Sequence, residues 1–204
     1  MSLTTLAPMT DIDAVNMMLA SIGQAPVDTI TNTGIADVND AVTHLTNVAR
    51  EIQLAAWDFN SDKEVKMTPD NNGYIILGTD VVGIESYYPG YHYTIRFDEN
   101  DGYKKKVYDK TLNKNTYVFD ANIKVNVTRL VPFDYLPQYA KNYVAIQAAL
   151  LFQQNVVSSV IVFKFTANHL QKVEAAFNAA ELRQASLNML APGTRENNIL
   201  RRSY

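Results

Sequence analysis

The sequence predicts an α+β protein: an antiparallel bundle of about four helices, with an antiparallel β domain inserted into it. Three observations predict this. In residues 36–59 the apolar positions Val38, Val42, Leu45, Ala49, Ile52 and Ala56 step alternately by four and three, which draws one stripe on a helix. From about residue 64 the period changes to two, in short runs separated by turn residues. After Pro137 the helical spacing returns at Tyr139, Tyr143, Ile146 and Leu150. The expected domains are therefore a discontinuous bundle (1–62 and 132–191), an inserted β domain (63–131) and a C-terminal tail (192–204).

The first helix is expected over residues 11–22. Thr10 and Asp13 stand in capping-box spacing with Asp replacing the usual Glu, and the acids Asp11 and Asp13 suit the positive helix end. Ile12, Val15, Leu19 and Ile22 share a face, Gly23 supplies a C-terminal residue free to take positive φ, and Pro26 prevents continuation. After a turn-rich connector at 31–34 comes the long helix over 36–59, about six turns at ~3.6 residues each. This helix is expected to lie at the centre of the bundle. It ends at Trp57, the only tryptophan, and Phe59, which are expected to wedge helix against sheet.

The insert follows. Residues 64–67 alternate, and 69–73 form a strong turn. Strands are expected at 74–77, 81–88, 91–97, 103–108, 116–119 and 123–128. The pair Asp101-Gly102 favours a hairpin turn. Eight of the twelve tyrosines fall between Tyr74 and Tyr117, which suits either a twisted antiparallel sheet or a small barrel. Pro132 and Pro137 then bracket a turn, a helix runs to about Gln154, and another lies between Ser158 and Leu190 with a break near Ser158-Ser159. On it, Leu170, Val173, Phe177, Ala180 and Leu187 share a stripe, and Pro192-Gly193 ends helical structure.

Composition narrows the function. Hydrophobic residues make up 47% and charged residues 19%, and the net charge of −3 argues against a general nucleic-acid binder. The absence of cysteine removes disulfides, thiolate metal sites and thiol nucleophiles. Residues 1–13 have neither a basic n-region nor a long apolar run, so no secretory signal is expected. The longest apolar-rich run, 156–165, is too short for a membrane span of ~20 residues.

Candidate chemistry is sparse. His44, His92 and His169 stand in no ligand spacing, so no metal site and no cofactor is expected. The run 98–102 resembles a calcium loop, but counted from Asp98 the sixth position is Tyr103 rather than Gly and the twelfth is Asp109 rather than Glu, so it reads as a hairpin turn. Lys104, Lys105 and Lys106 read as solvated edge protection, with contact to DNA phosphate or an acidic partner as the sharper alternative. The tyrosines suit a core or a protein interface better than a base-stacking surface at this net charge. No nucleophile elbow, phosphate loop or dinucleotide-binding glycine pattern occurs, so no enzyme is expected.

Three stretches go further. Ala14-Val15-Asn16-Met17-Met18-Leu19-Ala20-Ser21-Ile22-Gly23-Gln24-Ala25-Pro26-Val27 closely resembles the opening of the tail tubular protein A family of short-tailed phages. Arg50-Glu51-Ile52-Gln53, leading to Trp57-Asp58-Phe59-Asn60, is similar to that family's Arg-x-Ile-Gln run and Trp-x-Phe-Asn end. The third stretch runs from Ile123-Lys124-Val125 through Arg129-Leu130 and the acidic-Pro turn to Leu136-Pro137. The resemblance covers about residues 13–160, in the same order and at similar spacing.

It implies a head-to-tail adaptor of the virion tail, assembled in the host cytoplasm. Its implied partners are itself in a ring of twelve copies, the portal protein and the tail nozzle protein. Double-stranded DNA would pass through transiently, and no membrane would be engaged. The bundle would face portal and neighbours, and the insert the nozzle. The short tail departs from relatives, and Arg195, Ile199, Leu200, Arg201 and Arg202 are its candidate portal-docking residues, unfolded in the free subunit and ordered on the portal. The competing readings are a phage tail glycan hydrolase and a single-strand nucleic-acid-binding module.

Overall fold

A computed structural model describes residues 7–31, 33–156 and 160–189. The chain divides into two compact units: Met1–Ile52 with Pro132–Tyr204, and Gln53–Val131 between them in sequence. The fold is α+β: the described residues form four α-helices in the first unit and antiparallel sheets in the second.

The first helix, α1 (Asp11–Ser21), begins as its capping box dictates. Asp13 N–H donates to Thr10 Oγ1 (3.3 Å) and Thr10 N–H donates back to the Asp13 carboxylate (2.9 Å). The bonds from Thr10 hold the Asp13 carboxyl below the usual range. It ends in a Schellman arrangement: Gly23 takes φ +79°, and Gln24 N–H donates to Leu19 O (3.0 Å). The Asn16 side chain then catches the departing chain. Its Nδ2 donates to Val27 O (3.0 Å) and its Oδ1 accepts from Val27 N–H (2.8 Å).

The long helix α2 is shorter than its stripe predicts. It spans Ala36–Gln53 and stops before Ala56, which is exposed and takes φ +58°. Local propensity does not stop it, since Leu54, Ala55 and Ala56 are sound helix formers. The competing interaction is a side chain: Asn60 Nδ2 donates to Gln53 O (2.8 Å), taking the carbonyl that the next helical turn would use. Trp57 and Phe59 are half-buried; Trp57 caps a 3-10 turn at Asp58–Asn60 and Phe59 lies within it. The buried face of α2 includes Ala41 and Val48 beside Val38, Leu45 and Ile52, so the core stripe is rotated slightly from the one read in sequence.

The centre of the helical unit is not α2 but α3 (Gln138–Val156). It is buried on nearly every side, through Ala140, Val144, Ala145, Ala148, Ala149 and Phe152 among others. A helix apolar all round is an interior helix. Its alanines let neighbours approach closely, which a search for large apolar residues overlooks. Gln153 Nε2 donates to Ser21 O (2.9 Å), joining α3 to the end of α1. At the other end, Asp134 accepts from Asp11 N–H (3.0 Å), and buried Lys141 donates to Met9 O (2.7 Å). The last helix, α4 (Val160–Met189), packs on α3 through Phe177, whose ring stacks on Tyr143 at 4.9 Å. Beside it the Tyr139 hydroxyl donates to Glu181 Oε1 (2.8 Å). The expected break at Ser158-Ser159, the stop at Pro192-Gly193 and the tail lie outside the described residues.

The inserted unit contains β1 (Ser61–Met67), β2 (Val81–Ser86), β3 (Tyr93–Asp98), β4 (Lys104–Asp109) and β5 (Ile123–Arg129). They form two antiparallel sheets, β1-β5-β2 and β3-β4, rather than one sheet or a barrel. The inward positions Ile123, Val125 and Val127 are buried as alternation predicts, against Ile84, Val107 and Phe119. Two expected strands do not form. Residues 74–77 run beside β4 with a single bridge, Ile76 to Lys106, and 116–119 make only the bridge from Thr116 to Asp109. Each is cut short by turns: Gly78 begins the next bend, and Asn113 and Asn115 take positive φ.

The chain enters and leaves this unit through a hydrogen-bonded neck. Gln53 Oε1 accepts from Val131 N–H (2.7 Å) and Gln53 Nε2 donates to Val131 O (3.1 Å). Asn60 Nδ2 also donates to Arg129 O (3.0 Å). Arg129, on the central strand, donates to Asp62 (2.9 Å) and Asp80 (2.7 Å), tying the starts of both flanking strands. Gln53→Ala leaves the Val131 amide without this partner, and we expect a loss of about 1–3 kcal/mol in urea denaturation. A change within ~0.5 kcal/mol, the range of neutral surface substitutions, would contradict the role given to the neck.

Candidate functional site: an aromatic cleft and a loop-held lysine

The triple-lysine run is a solvated edge only at Lys104, which stays exposed. Lys106 is fully buried. Its Nζ lies 2.9 Å from Asp98 Oδ2 and 2.7 Å from Asp101 Oδ2, and 3.7 Å from the centre of the Tyr74 ring. The residues that imitate a calcium loop are thus the carboxylates that hold an ammonium. Lys104 pairs with Asp101 at 3.0 Å, and Lys105 donates to the Val81 carbonyl. Sequence reasoning placed Asp98 and Asp101 in a hairpin turn and so did not match them to Lys106, eight and five residues on. In the structure, a 3-10 turn at Glu99–Asp101 and left-handed Gly102 and Tyr103 fold the loop back over the strand.

Burial works against the charge on Lys106, but the bonds from Asp101 and Asp98 outweigh it and push the ammonium above the ordinary lysine range. The bonds from Lys106 and Lys104 hold the Asp101 carboxyl below the usual range. The two directions set opposite windows. The contribution of Asp101 is present above the unfolded carboxyl pKa of ~3.9 and fades as pH falls through its lower folded value. That of Lys106 is present below ~10.4 and fades only as pH rises through its higher folded value.

The second feature is a cleft of about 440 Å³ on the same unit. Tyr88 and Tyr91 line it and stay exposed, with Tyr93 and Phe119 deeper. Tyr91, Tyr93 and Phe119 form a run of ring contacts at 6.0 and 5.8 Å. Burial first, then Asp109 and Tyr91, push the Tyr93 phenol up to about 12, so it stays protonated at neutral pH. Lys66, Lys114 and Lys124 also border the cleft, as do Asp109 and Asp120.

The histidines are ordinary. His44 Nε2 lies 3.0 Å from Asn155 Nδ2 and its ring meets Phe152 edge-on; His92 and His169 are exposed. Among the described residues no group of three His, Cys, Asp or Glu is placed to hold a metal ion, and no helix is long and apolar enough to cross a membrane. The displaced carboxyls Asp13, Asp80 and Asp101 all move down, the opposite of what a general acid requires. Arg195, Ile199, Leu200, Arg201 and Arg202 lie outside the described residues.

Several buried polar side chains, Gln53, Asn60, Lys141 and Gln153, serve as backbone clamps, which is the use a structural protein makes of them. A family profile described as tail tubular protein matches residues 12–187. The chain belongs to the tail tubular protein family and is a structural component of a phage tail. No curated protein matches it. The residues that carry the resemblance include Asn16, Gln53 and Asn60, and each spends its amide on holding backbone: Val27, Val131, and Gln53 with Arg129.

Two outcomes follow for the lysine loop. Lys106→Ala leaves Asp98 buried without its cation, which costs about 2–3 kcal/mol in chemical denaturation, the scale of a hydrogen bond to a charged group. Asp101→Asn flattens the fall in urea midpoint with pH below ~4, measured by fluorescence from pH 7 to 2. An unchanged slope would show that Asp101 carries none of the acid sensitivity.

Proposed function

We propose that the protein is the head-to-tail adaptor of a short-tailed phage, forming a ring of twelve copies between the portal protein and the tail nozzle protein. Its setting is the virion tail, assembled in the host cytoplasm. The observation that carries this reading is the tail tubular profile over residues 12–187, which spans both units and not a single motif. A ring of identical subunits needs a heterologous interface that closes by rotation. The mild net charge of −3 suits a channel through which double-stranded DNA must slide, because a strongly basic lining would bind phosphates and retain the genome.

Within this reading the helical unit meets portal and neighbouring copies, and the inserted unit meets the nozzle. The exposed Tyr88, Tyr91, Phe97 and Tyr103 all belong to the inserted unit and supply the aromatic surface that protein interfaces favour. The C-terminal residues Arg195, Ile199, Leu200, Arg201 and Arg202 form the portal-docking segment, ordering on contact.

Negative-stain images of the purified chain mixed with portal should show a twelvefold collar added to the portal ring. Truncation before Thr194 should abolish the collar and leave the melting temperature of the free chain unchanged. Normal portal binding by the truncated chain would remove the tail from the docking assignment. Absence of any collar with the full chain would overturn the adaptor reading.

A further inference from the structure

Lys66 and Lys124 sit directly opposite each other in the β1–β5 ladder. Side chains at such positions share a face of the sheet, and two like charges there repel. Their neighbours on the same two strands, Val65, Met67, Ile123 and Val125, face the core, so the lysine pair stands on the outer face. Lys124 finds Glu64 at 3.6 Å and the Tyr87 ring at 5.7 Å, both long contacts. Among the described residues no carboxylate pairs with Lys66 at 4 Å or less. Both lysines border the cleft of about 440 Å³, with Tyr88 and Tyr91 exposed on its wall. Two cations share one carboxylate, Glu64, so the lysine pair bordering the aromatic cleft is one anion short.

We infer that this cleft binds an acidic segment of a partner protein: one carboxylate side chain between Lys66 and Lys124, and an adjoining apolar or aromatic side chain against Tyr88 and Tyr91. A carboxylate here relieves the repulsion and is held by charge-assisted hydrogen bonds. The tyrosines add large contact area with few rotors to freeze. A nucleic-acid strand fits the site less well. It carries a charge at every nucleotide, and Asp109 and Asp120 line the same cleft. Asp109 is buried, accepts from Thr111 N–H at 2.8 Å and lies 3.6 Å from Lys114, so it is fixed in place. A peptide carrying a single acid meets the two lysines without meeting these carboxylates.

The inference rests on the reading that the inserted unit meets the nozzle protein, and it names the chemistry of that contact. The test uses the full chain and the purified nozzle protein, treated with a carbodiimide that joins amines to carboxylates in direct contact. Mass spectrometry should find links from Lys66 or Lys124 to Asp or Glu within one nozzle segment. K66E/K124E should weaken nozzle binding at least tenfold without changing portal binding or melting temperature. If that variant is unstable, K66Q/K124Q carries the same expectation. Nozzle binding within twofold of wild type in the variants, with no links at these lysines, overturns the cleft while leaving the nozzle contact standing. Failure of the wild-type chain to bind the nozzle protein overturns both. Displacement of the nozzle protein by a twenty-residue oligothymidylate that itself needs Lys66 and Lys124 would assign the cleft to nucleic acid and overturn the peptide.

Discussion

The constraint on which the inserted unit depends is the pairing of one glutamine side chain with the backbone of one residue. Gln53 is the first residue of that unit and Val131 the last, and the Gln53 amide closes both hydrogen bonds to the Val131 backbone. The loop from Gln53 to Val131 would otherwise be held only by contacts deeper in the unit, and closing a long loop carries an entropic cost that grows slowly with length. Asn60 and Arg129 extend the same closure. Asn60 takes the Gln53 carbonyl and so ends the long helix. Arg129 links the two flanking strands through Asp62 and Asp80. The helix end, the sheet and the return of the chain are therefore one hydrogen-bonded arrangement.

The β3–β4 hairpin is fixed by a different balance. A fully covered ammonium is costly unless every donor finds an acceptor. Lys106 meets this condition with two carboxylates and the face of Tyr74. Because Asp101 keeps a third of its side-chain surface in water, the site is covered without being deep, and ion pairing prevails over lost hydration. The same pairing specifies the hairpin loop, since it needs the 3-10 turn that brings Asp98 and Asp101 back over the strand.

Much of the architecture was legible because it depends on local pattern. The capping box at Thr10, the glycine end of the first helix, the two-residue alternation of Ile123, Val125 and Val127, and the change of period near residue 64 all act within a few residues. What was missed depends on partners distant in the chain or on small residues. The apolar stripe ran on to Ala56, and nothing nearby shows that Asn60 would take the Gln53 carbonyl. The helix after Pro137 was predicted, but its place at the centre was missed because alanines do much of its packing. The run of lysines looked solvated because its counter-ions lay within a recognisable turn. Of the candidate sites, the tyrosine cluster was legible as core or interface chemistry, and the structure puts Tyr93 partly in the core and leaves Tyr88 and Tyr91 exposed. The cleft was not legible, because Lys66 and Lys124 are neighbours only through strand register. The motif residues Asn16, Gln53 and Asn60 pointed to the family without revealing that their work is to hold backbone.

These features together describe a structural component of a phage tail, and the proposed adaptor role assigns its assembly contacts to surfaces on both units. The adaptor account makes one demand above all: the chain must bridge two proteins that do not join without it. Sedimentation of portal with nozzle protein, with and without this chain, tests that demand directly. The account predicts that nozzle protein travels with portal only when the chain is present. Co-sedimentation of portal and nozzle in its absence, or no three-part particle in its presence, would contradict it.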